Sequence, residues 1–545
     1  MNSLKFVYLR FTSLAAIIIF ILAVLGASPC AISEDVLTYH NNNGRTGLNS
    51  AETTLTLNNV NSTLFGNLFT LSVDGLVDAE PLYLSGVPIA GSGNHNLLIV
   101  VTENDTVYAF DADTGAQIWK ITTLASGETP SDDRGCGQVS PQIGITSTPV
   151  ISRPAGSNGV IYAVAMSKDS SGNYHQRLHA LDATTGDELY NGPVDIAAKY
   201  PGTGDNSSGG YVVFDPAQYK ERSGLLLLNG VVYLAWASHC DIRPYTGWIM
   251  GYNATTLAQK AVLNVTPNGN EGAIWGSGGG LTADSSGSIY FLDANGIFDT
   301  NLNPNGFPSS GDYGNAFIRL TTKGGLTVAD YFEMDNGPQE SDGDVDLGSG
   351  GALVVPEMKD TSGTEWHLAA GAGKDNNLYL VNRQSMGKFN PNINNNYEEL
   401  SGALPGGIWS MPAYFNGKLY FGPVGQPILA FQFSDAMLDG TPAVQTSNSF
   451  GYPGATPSIS SGGNKNAIVW ATENTNPAVL HAYNAINLQE LYNTNQASGG
   501  RDHFGVGNKF ITPMIVNGKV YVGTTSGVGV FGLLSGKADA VSGGR

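Results

Sequence analysis

Residues 107–119 read Val-Tyr-Ala-Phe-Asp-Ala-Asp-Thr-Gly-Ala-Gln-Ile-Trp, and weaker copies of this strand, tight turn and strand recur along the chain. Val107, Ala109 and Asp111 alternate with Tyr108 and Phe110 at strand period, and Asp113-Thr114-Gly115 supplies a turn whose glycine is free to take a positive φ. Repetition of such a unit decides the fold before any single motif does. With 71 glycines, 10% aromatic residues, only 13% charged residues and no long helix-period runs, the chain reads as many short strands joined by Gly, Asn, Asp and Ser turns. That is an all-β pattern.

Eight units can be laid out at an irregular spacing of roughly 40 to 60 residues. They open near Glu80-Pro81-Leu82, Thr148-Pro149-Val150, Asn229-Gly230-Val231, Trp275, Gly350, Asn416-Gly417-Lys418, Thr456-Pro457-Ser458 and Asn517-Gly518-Lys519. The spacing predicts an eight-bladed β-propeller of four-stranded antiparallel blades, in which each blade buries both faces against its neighbours. The blades run from about 78 to 533 within a single domain, 34–545. The last unit is one strand short, and the segment 64–73 is expected to supply that strand and close the ring. The longest inserts, 122–144, 197–222, 297–316 and 387–407, are expected as loops around one mouth of the channel, where ligands bind.

A formal net charge of −20 repels phosphate backbones and anionic lipid, which argues against nucleic acid as a partner. Lys5 and Arg10 precede an apolar run from Leu14 to Leu25 that is short for a membrane span, and small residues follow it. Residues 1–33 therefore read as a secretory signal, the protein as exported to a periplasmic or extracellular space, and an uncleaved leader as its one route to a membrane. Loss of Cys30 with that leader would leave Cys136 and Cys240 in an oxidising compartment. Such a pair reads as a disulfide rather than a metal site, the alternative being two separate buried thiols. No Cys-x-x-Cys-His occurs, so no c-type haem is expected, and no ligand set around His239 suits zinc.

The element ending in Ala-x-Asp-x-x-Thr-Gly-x-x-x-Trp resembles the repeat of the pyrroloquinoline quinone (PQQ) dehydrogenases, which are eight-bladed propellers. Other segments are similar to that family's cofactor site, and they fall in the same order. Asp78-Ala79-Glu80-Pro81-Leu82 looks like its Glu-x-x-Pro-Leu, which puts Asp78 at a cofactor-contacting acid with Glu80 as the alternative register. Ser238-His239-Cys240-Asp241 resembles the segment carrying a Ca²⁺-ligating acid, here Asp241. Trp275, in Glu271-Gly272-Ala273-Ile274-Trp275-Gly276, corresponds to the floor under the quinone. Asn295 stands where the family has an amide ligand, Asp312 in Ser310-Gly311-Asp312-Tyr313 where it has the catalytic base, and Lys374 where a cation contacts the quinone oxygens.

The resemblance thus implies a PQQ- and Ca²⁺-dependent dehydrogenase that oxidises an alcohol or sugar and passes electrons to a separate acceptor. Ca²⁺ would be ligated by Asp241, Asn295 and Asp312, since it prefers carboxylate and amide oxygens. Asp312 would take the alcohol proton, and Asp78, Trp275 and Lys374 would hold the quinone. Asn and Asp in Gly-rich loops also serve as plain turn formers. The adjacent Cys-Cys pair of the alcohol-oxidising members is missing, and several repeats are eroded, as in Gly251-Tyr252-Asn253. The alternative is a noncatalytic propeller of this family that acts as a binding or assembly scaffold in the cell envelope.

Overall fold

The computed structural model describes residues 34–534, and the expected leader, 1–33, lies outside the described residues. Among the described residues the strands gather into eight sheets of four to six strands and two smaller sheets, with a single short α-helix, Gly337–Asp342. The fold is that of an all-β propeller. In the first sheet Leu82–Ile89, Gly93–Thr102, Thr106–Asp111 and Gln117–Thr122 run antiparallel in chain order, and the repeat strand Thr106–Asp111 is buried throughout. Later sheets repeat this order around Val160–Lys168, Val231–Ser238, Ser288–Leu292, Leu368–Ala372, Lys418–Phe421, Lys465–Glu473 and Lys519–Gly523.

The segment expected to complete the last sheet is found there. Phe65–Ser72 pairs antiparallel with Gly527–Leu533, from Phe65 opposite Leu533 to Ser72 opposite Gly527, with a bulge between Asn67 and Phe69. The inserts are less loop-like than their composition suggests. Thr129–Asp132 and Gln142–Ile143 extend the second sheet, and Lys199–Pro201, Ser207–Ser208 and Tyr211–Val213 form a sheet of their own. Tyr-Val-Val at 211–213 has the β-branched and aromatic content of a strand, masked in the sequence by the Gly and Ser around it.

The repeat is a turn and a latch. Asp111 Oδ1 accepts the N–H groups of Asp113 (3.1 Å) and Thr114 (2.7 Å) and the Thr114 hydroxyl (2.8 Å), so the side chain closes the turn for the backbone. Asp182 does the same with Thr184, and Asn253 with Thr255, so the amide of an eroded repeat keeps the geometry. The carbonyl after each acid then receives a ring from a neighbouring sheet. Trp119 Nε1 donates to Ala183 O at 3.0 Å, Tyr420 Oη to Ala485 O at 2.7 Å, and Tyr521 Oη, in the last sheet, to Ala112 O of the first at 3.3 Å.

An extended segment, 36–49, ties the inner strands together. Val36 exchanges both backbone hydrogen bonds with Tyr83, and the carbonyls of Leu37, Asn43, Gly44, Thr46 and Gly47 accept from Ile151, Ala283, Val354, Tyr414 and Ile459 in turn. Asn43 Nδ2 reaches Leu227 O at 3.0 Å and Asn49 Nδ2 reaches Ile515 O at 2.9 Å, so all eight large sheets are met in chain order. Arg45, fully buried, donates to the carbonyls of Tyr39 (2.7 Å), Leu225 (3.1 Å) and Leu281 (3.0 Å).

Two substitutions test these ties. Arg45→Met strips three buried carbonyls of a donor, each worth about 1 to 3 kcal/mol, and should lower the free energy of urea unfolding by about 3 kcal/mol or more. Gly186→Ala places a Cβ at φ 77° and 2.9 Å from the Trp119 ring. A loss of about 2 kcal/mol is expected from the backbone and the clash together, and an unchanged midpoint in urea would refute the latch.

Candidate functional site

Strand ends of the third, fourth and fifth sheets, with loops from their neighbours, enclose a cavity of about 480 Å³. Its apolar walls are Trp275, Trp409, Tyr452 and Phe510, and Trp409 and Tyr452 meet edge to face at 6.0 Å. Its polar groups arrive from turns. Asp241 follows Val231–Ser238, Asn295 follows Ser288–Leu292, Asp346 precedes the 3₁₀ turn Leu347–Ser349, and Lys374 begins the turn between Leu368–Ala372 and Leu378–Asn382. Gly373 makes this approach possible, because a Cβ there would stand 2.4 Å from both Asp346 O and Leu347 Cα.

The charges are unevenly matched. Lys374 Nζ lies 2.6 Å from Asp346 Oδ1 and is also paired with Asp344. Burial raises the Asp346 carboxyl above its ordinary range and Lys374 opposes that rise; the two carboxylates in turn hold the Lys374 ammonium above its usual value against desolvation. Asp241 is raised by burial as well, although Tyr245 Oη donates to its Oδ1 at 2.7 Å. Its Oδ2 accepts no hydrogen bond among the described residues, and the Asn295 side chain, only 8% exposed, makes none either.

Arg222 is also left without a hydrogen-bonding partner at Nε. It is 3% exposed, lies 4.0 Å from the Phe510 ring centroid and 6.0 Å from that of Trp275, and its guanidinium makes no protein hydrogen bond. Asp78 and Glu103 lie within its electrostatic reach, and its unpartnered nitrogen and the ring faces beside it leave room for a further anionic group at the cavity.

The cavity therefore brings together Asp241, Trp275, Asn295 and Lys374. It does not include Asp312, so the expected convergence of Asp241, Asn295 and Asp312 on one point is not found. The Asp312 carboxylate accepts from Asn268 N (2.8 Å), Gly269 N (3.1 Å) and Ser310 Oγ (2.7 Å), and so fastens a turn beside a separate groove lined by Tyr200 and Tyr313. Asp78 sits behind the cavity wall, where it takes Asn508 Nδ2 at 2.9 Å and shares a buried cluster with Glu103, Lys220 and Arg222. Glu80 is used elsewhere, its Oε2 accepting from His40 N at 2.8 Å. Asp344, Asp346, Arg222, Trp409, Tyr452 and Phe510 escaped the sequence reading. Arg222 lies inside an insert read as a loop, and the signal available for Asp346 was only Asp-Val-Asp before a Gly-Ser-Gly-Gly turn. Cys240, also at the wall, is bonded to Cys136, as a cysteine pair in an oxidising compartment suggests.

Residues 67–230 match the sequence profile of a family described as outer membrane protein assembly factor BamB. A search of curated proteins gave no match. Among solved structures, the quinohemoprotein alcohol dehydrogenase of Comamonas testosteroni is similar with a TM-score of 0.60 and 15% identity, over 94% of this chain and 82% of that one. The quinohemoprotein alcohol dehydrogenase ADHIIG of Pseudomonas putida HK5 follows at 0.59 and 14%, over 92% and 80%. A europium-containing methanol dehydrogenase gives 0.58 and 12%, over 92% and 98%. The chain thus shares the β-propeller fold of these dehydrogenases, and its match to the family profile is confined to residues 67–230.

Because Arg222 shares a buried cluster with Asp78 and Glu103, Arg222→Met should lower the thermal midpoint, whereas Arg222→Lys, which keeps the charge, should melt closer to the parent. The same substitution should weaken binding of an aromatic polycarboxylate by tenfold or more in a fluorescence titration. A variant that unfolds early and binds normally would make Arg222 a structural residue.

Proposed function

We propose that the chain is an exported quinoprotein-like dehydrogenase, an eight-bladed propeller closed by its strand Phe65–Ser72, whose cavity takes PQQ with Ca²⁺ and oxidises an alcohol or sugar. The observation that carries this reading is the set of groups left without protein partners around one aromatic-walled cavity: the Arg222 guanidinium, the Asn295 amide and Asp241 Oδ2. A flat ligand with carboxylates fits Arg222 and the ring faces, and a hard cation fits a carboxylate and an amide oxygen. The eight-sheet ring is supported by the path of 36–49 across every inner strand and by the latch from Tyr521 to Ala112.

PQQ, when bound, supplies the two-electron acceptor for hydride removal. The chain's own residues do the rest. Trp275 offers a flat apolar face, and Lys374 holds a positive charge beside Asp346 and Asp344. Asp241 and Asn295 present oxygens for Ca²⁺. Asp346, buried and raised by that burial, replaces Asp312 as the group that receives the alcohol proton at a carboxylate oxygen, because the Asp312 carboxylate is already engaged by Asn268, Gly269 and Ser310. No Cys-x-x-Cys-His is present in the sequence, so the electrons go to a separate carrier.

A second reading, a noncatalytic scaffold of the cell envelope, is favoured by the match of residues 67–230 to the BamB profile. Reconstitution separates the two. Micromolar PQQ with Ca²⁺ is expected to produce quinone absorbance, raise the thermal midpoint by mass action and start dye reduction with an alcohol or sugar. Asp346→Asn should keep the PQQ-linked stabilisation and lose dye reduction by about 100-fold or more. Absence of any thermal shift would leave the scaffold.

A further inference from the structure

Two consecutive non-glycine residues at the cavity wall, Cys240 (φ 51°) and Asp241 (φ 55°), hold left-handed backbone conformations. The conformation is unfavourable for an L-residue; the pairs His40–Asn41, Tyr190–Asn191 and Asp435–Ala436 share it without a bridge, whereas this pair carries one. Tyr245 Oη holds the Asp241 carboxylate at Oδ1, 2.7 Å away, Gln218 Nε2 donates to Ile242 O, and two weaker bonds close the turn. Ile242 N donates to His239 O at 3.1 Å, and Asp241 N donates to Ser238 Oγ at 3.2 Å. The stronger restraint is covalent, because Cys240 is bonded to Cys136, 104 residues away in the sequence.

Cys136 is well anchored. It is 1% exposed and lies between Thr129–Asp132 and Gln142–Ile143, which belong to the second sheet. Its neighbour Arg134 donates from Nε to Ala217 O at 2.9 Å and from Nη1 to Tyr174 Oη at 2.7 Å. The bridge thus fixes a turn of the third sheet to a loop rooted in the second, immediately before the carboxylate that faces the cavity.

We propose that the Cys136–Cys240 disulfide is a positioning device for the cation-binding side of the cavity: it holds the left-handed turn that aims Asp241 at the site. The proposal rests on the reading of Asp241 and Asn295 as cation donors. Reduction by a phosphine cleaves the S–S bond to two thiols, and the turn then relaxes toward ordinary φ and swings Asp241 away from Asn295. A disulfide that served stability alone would lower the melting temperature and leave cation affinity untouched.

Terbium luminescence, sensitised by Trp275 and Trp409, provides the test without turnover. Tb³⁺ is expected to bind the oxidised chain at least tenfold more tightly than the phosphine-reduced chain or the Cys136→Ser/Cys240→Ser variant, with circular dichroism showing each still folded. In Asp241→Asn, reduction should make no further difference. Glycine accepts positive φ at no steric cost, so Cys136→Ser/Cys240→Gly should recover affinity relative to the double serine variant even if both melt earlier. Equal affinity before and after reduction overturns the proposal, as does a glycine variant no better than serine, or a loss on reduction that persists in Asp241→Asn. No Tb³⁺ binding in any form overturns both this proposal and the Ca²⁺ reading, whereas tight binding that ignores the disulfide overturns the positioning role alone.

Discussion

The hydrogen bonds between residues 36–49 and the inner strands of the eight large sheets are the constraint on which the rest depends. Peptide groups at the inner edges of the sheets are buried or half-buried and need partners. Sheets that each point one short strand inward cannot satisfy one another there, and an extended segment that visits them in order can. Arg45 extends the same logic with a fork of donors to carbonyls of Tyr39, Leu225 and Leu281, which belong to separate elements. Its burial lowers its pKa to about 10, well above neutrality, so the cation is retained. Glu80 lies alongside, and burial pushes its carboxyl up to about 8 despite that neighbour. Glu80, an alternative candidate for cofactor contact, therefore belongs to this framework, with His40 N as its partner.

Much of the fold was legible because the repeat is a local device with a local chemical cause. An acid or amide that caps its own turn, a residue at positive φ four positions on, and an aromatic ring that reaches a carbonyl of the next sheet can each be read from a short string. Erosion of the string hides less than it suggests. Asn253 and Asn484 cap their turns as Asp111 and Asp182 do. Leu257 (φ 54°) and Leu488 (φ 53°) stand at the left-handed positions held by Gly115 (φ 76°) and Gly186 (φ 77°), and each leucine is 2% exposed. Apolar burial there offsets a backbone cost of about 1 to 2 kcal/mol. What the sequence concealed were short strands within Gly- and Ser-rich inserts, such as Tyr211–Val213, which pairs with Lys199–Pro201 and Ser207–Ser208 inside the same insert.

Four of the candidate residues share one cavity and Asp312 does not. Asp241, Trp275, Asn295 and Lys374 follow strand ends, and collinear strand ends in neighbouring sheets converge by topology. Asp312 also sits in a Gly-flanked turn, and no sequence pattern distinguishes a carboxylate that fastens two backbone N–H groups from one that faces a cavity. Asp346 has the opposite problem. Its neighbours suggest a plain loop, and its place at the cavity emerges only because Lys374, 28 positions later, is brought to 2.6 Å, where Gly373 lies close to Leu347.

The distribution of unsatisfied charge explains why function and repeat quality part company. The first sheet, with the best-preserved repeat, places Trp119 and Asp111 in hydrogen bonds that hold sheets and turns together, and such groups have nothing left to offer a ligand. Around the cavity the reverse holds: Arg222, Asn295 and one oxygen of Asp241 are placed by the fold and left unpaired. For Arg222, whose buried Nε lacks a partner, this is a cost to the empty chain. A chain of net charge −20 that keeps a cation as buried as Arg222 without a hydrogen-bonding carboxylate does so against an ample supply of acids. Unpartnered buried carboxylates also occur at Asp105, Asp293 and Glu333, so what sets this cavity apart is that its unpaired groups stand together beside aromatic faces.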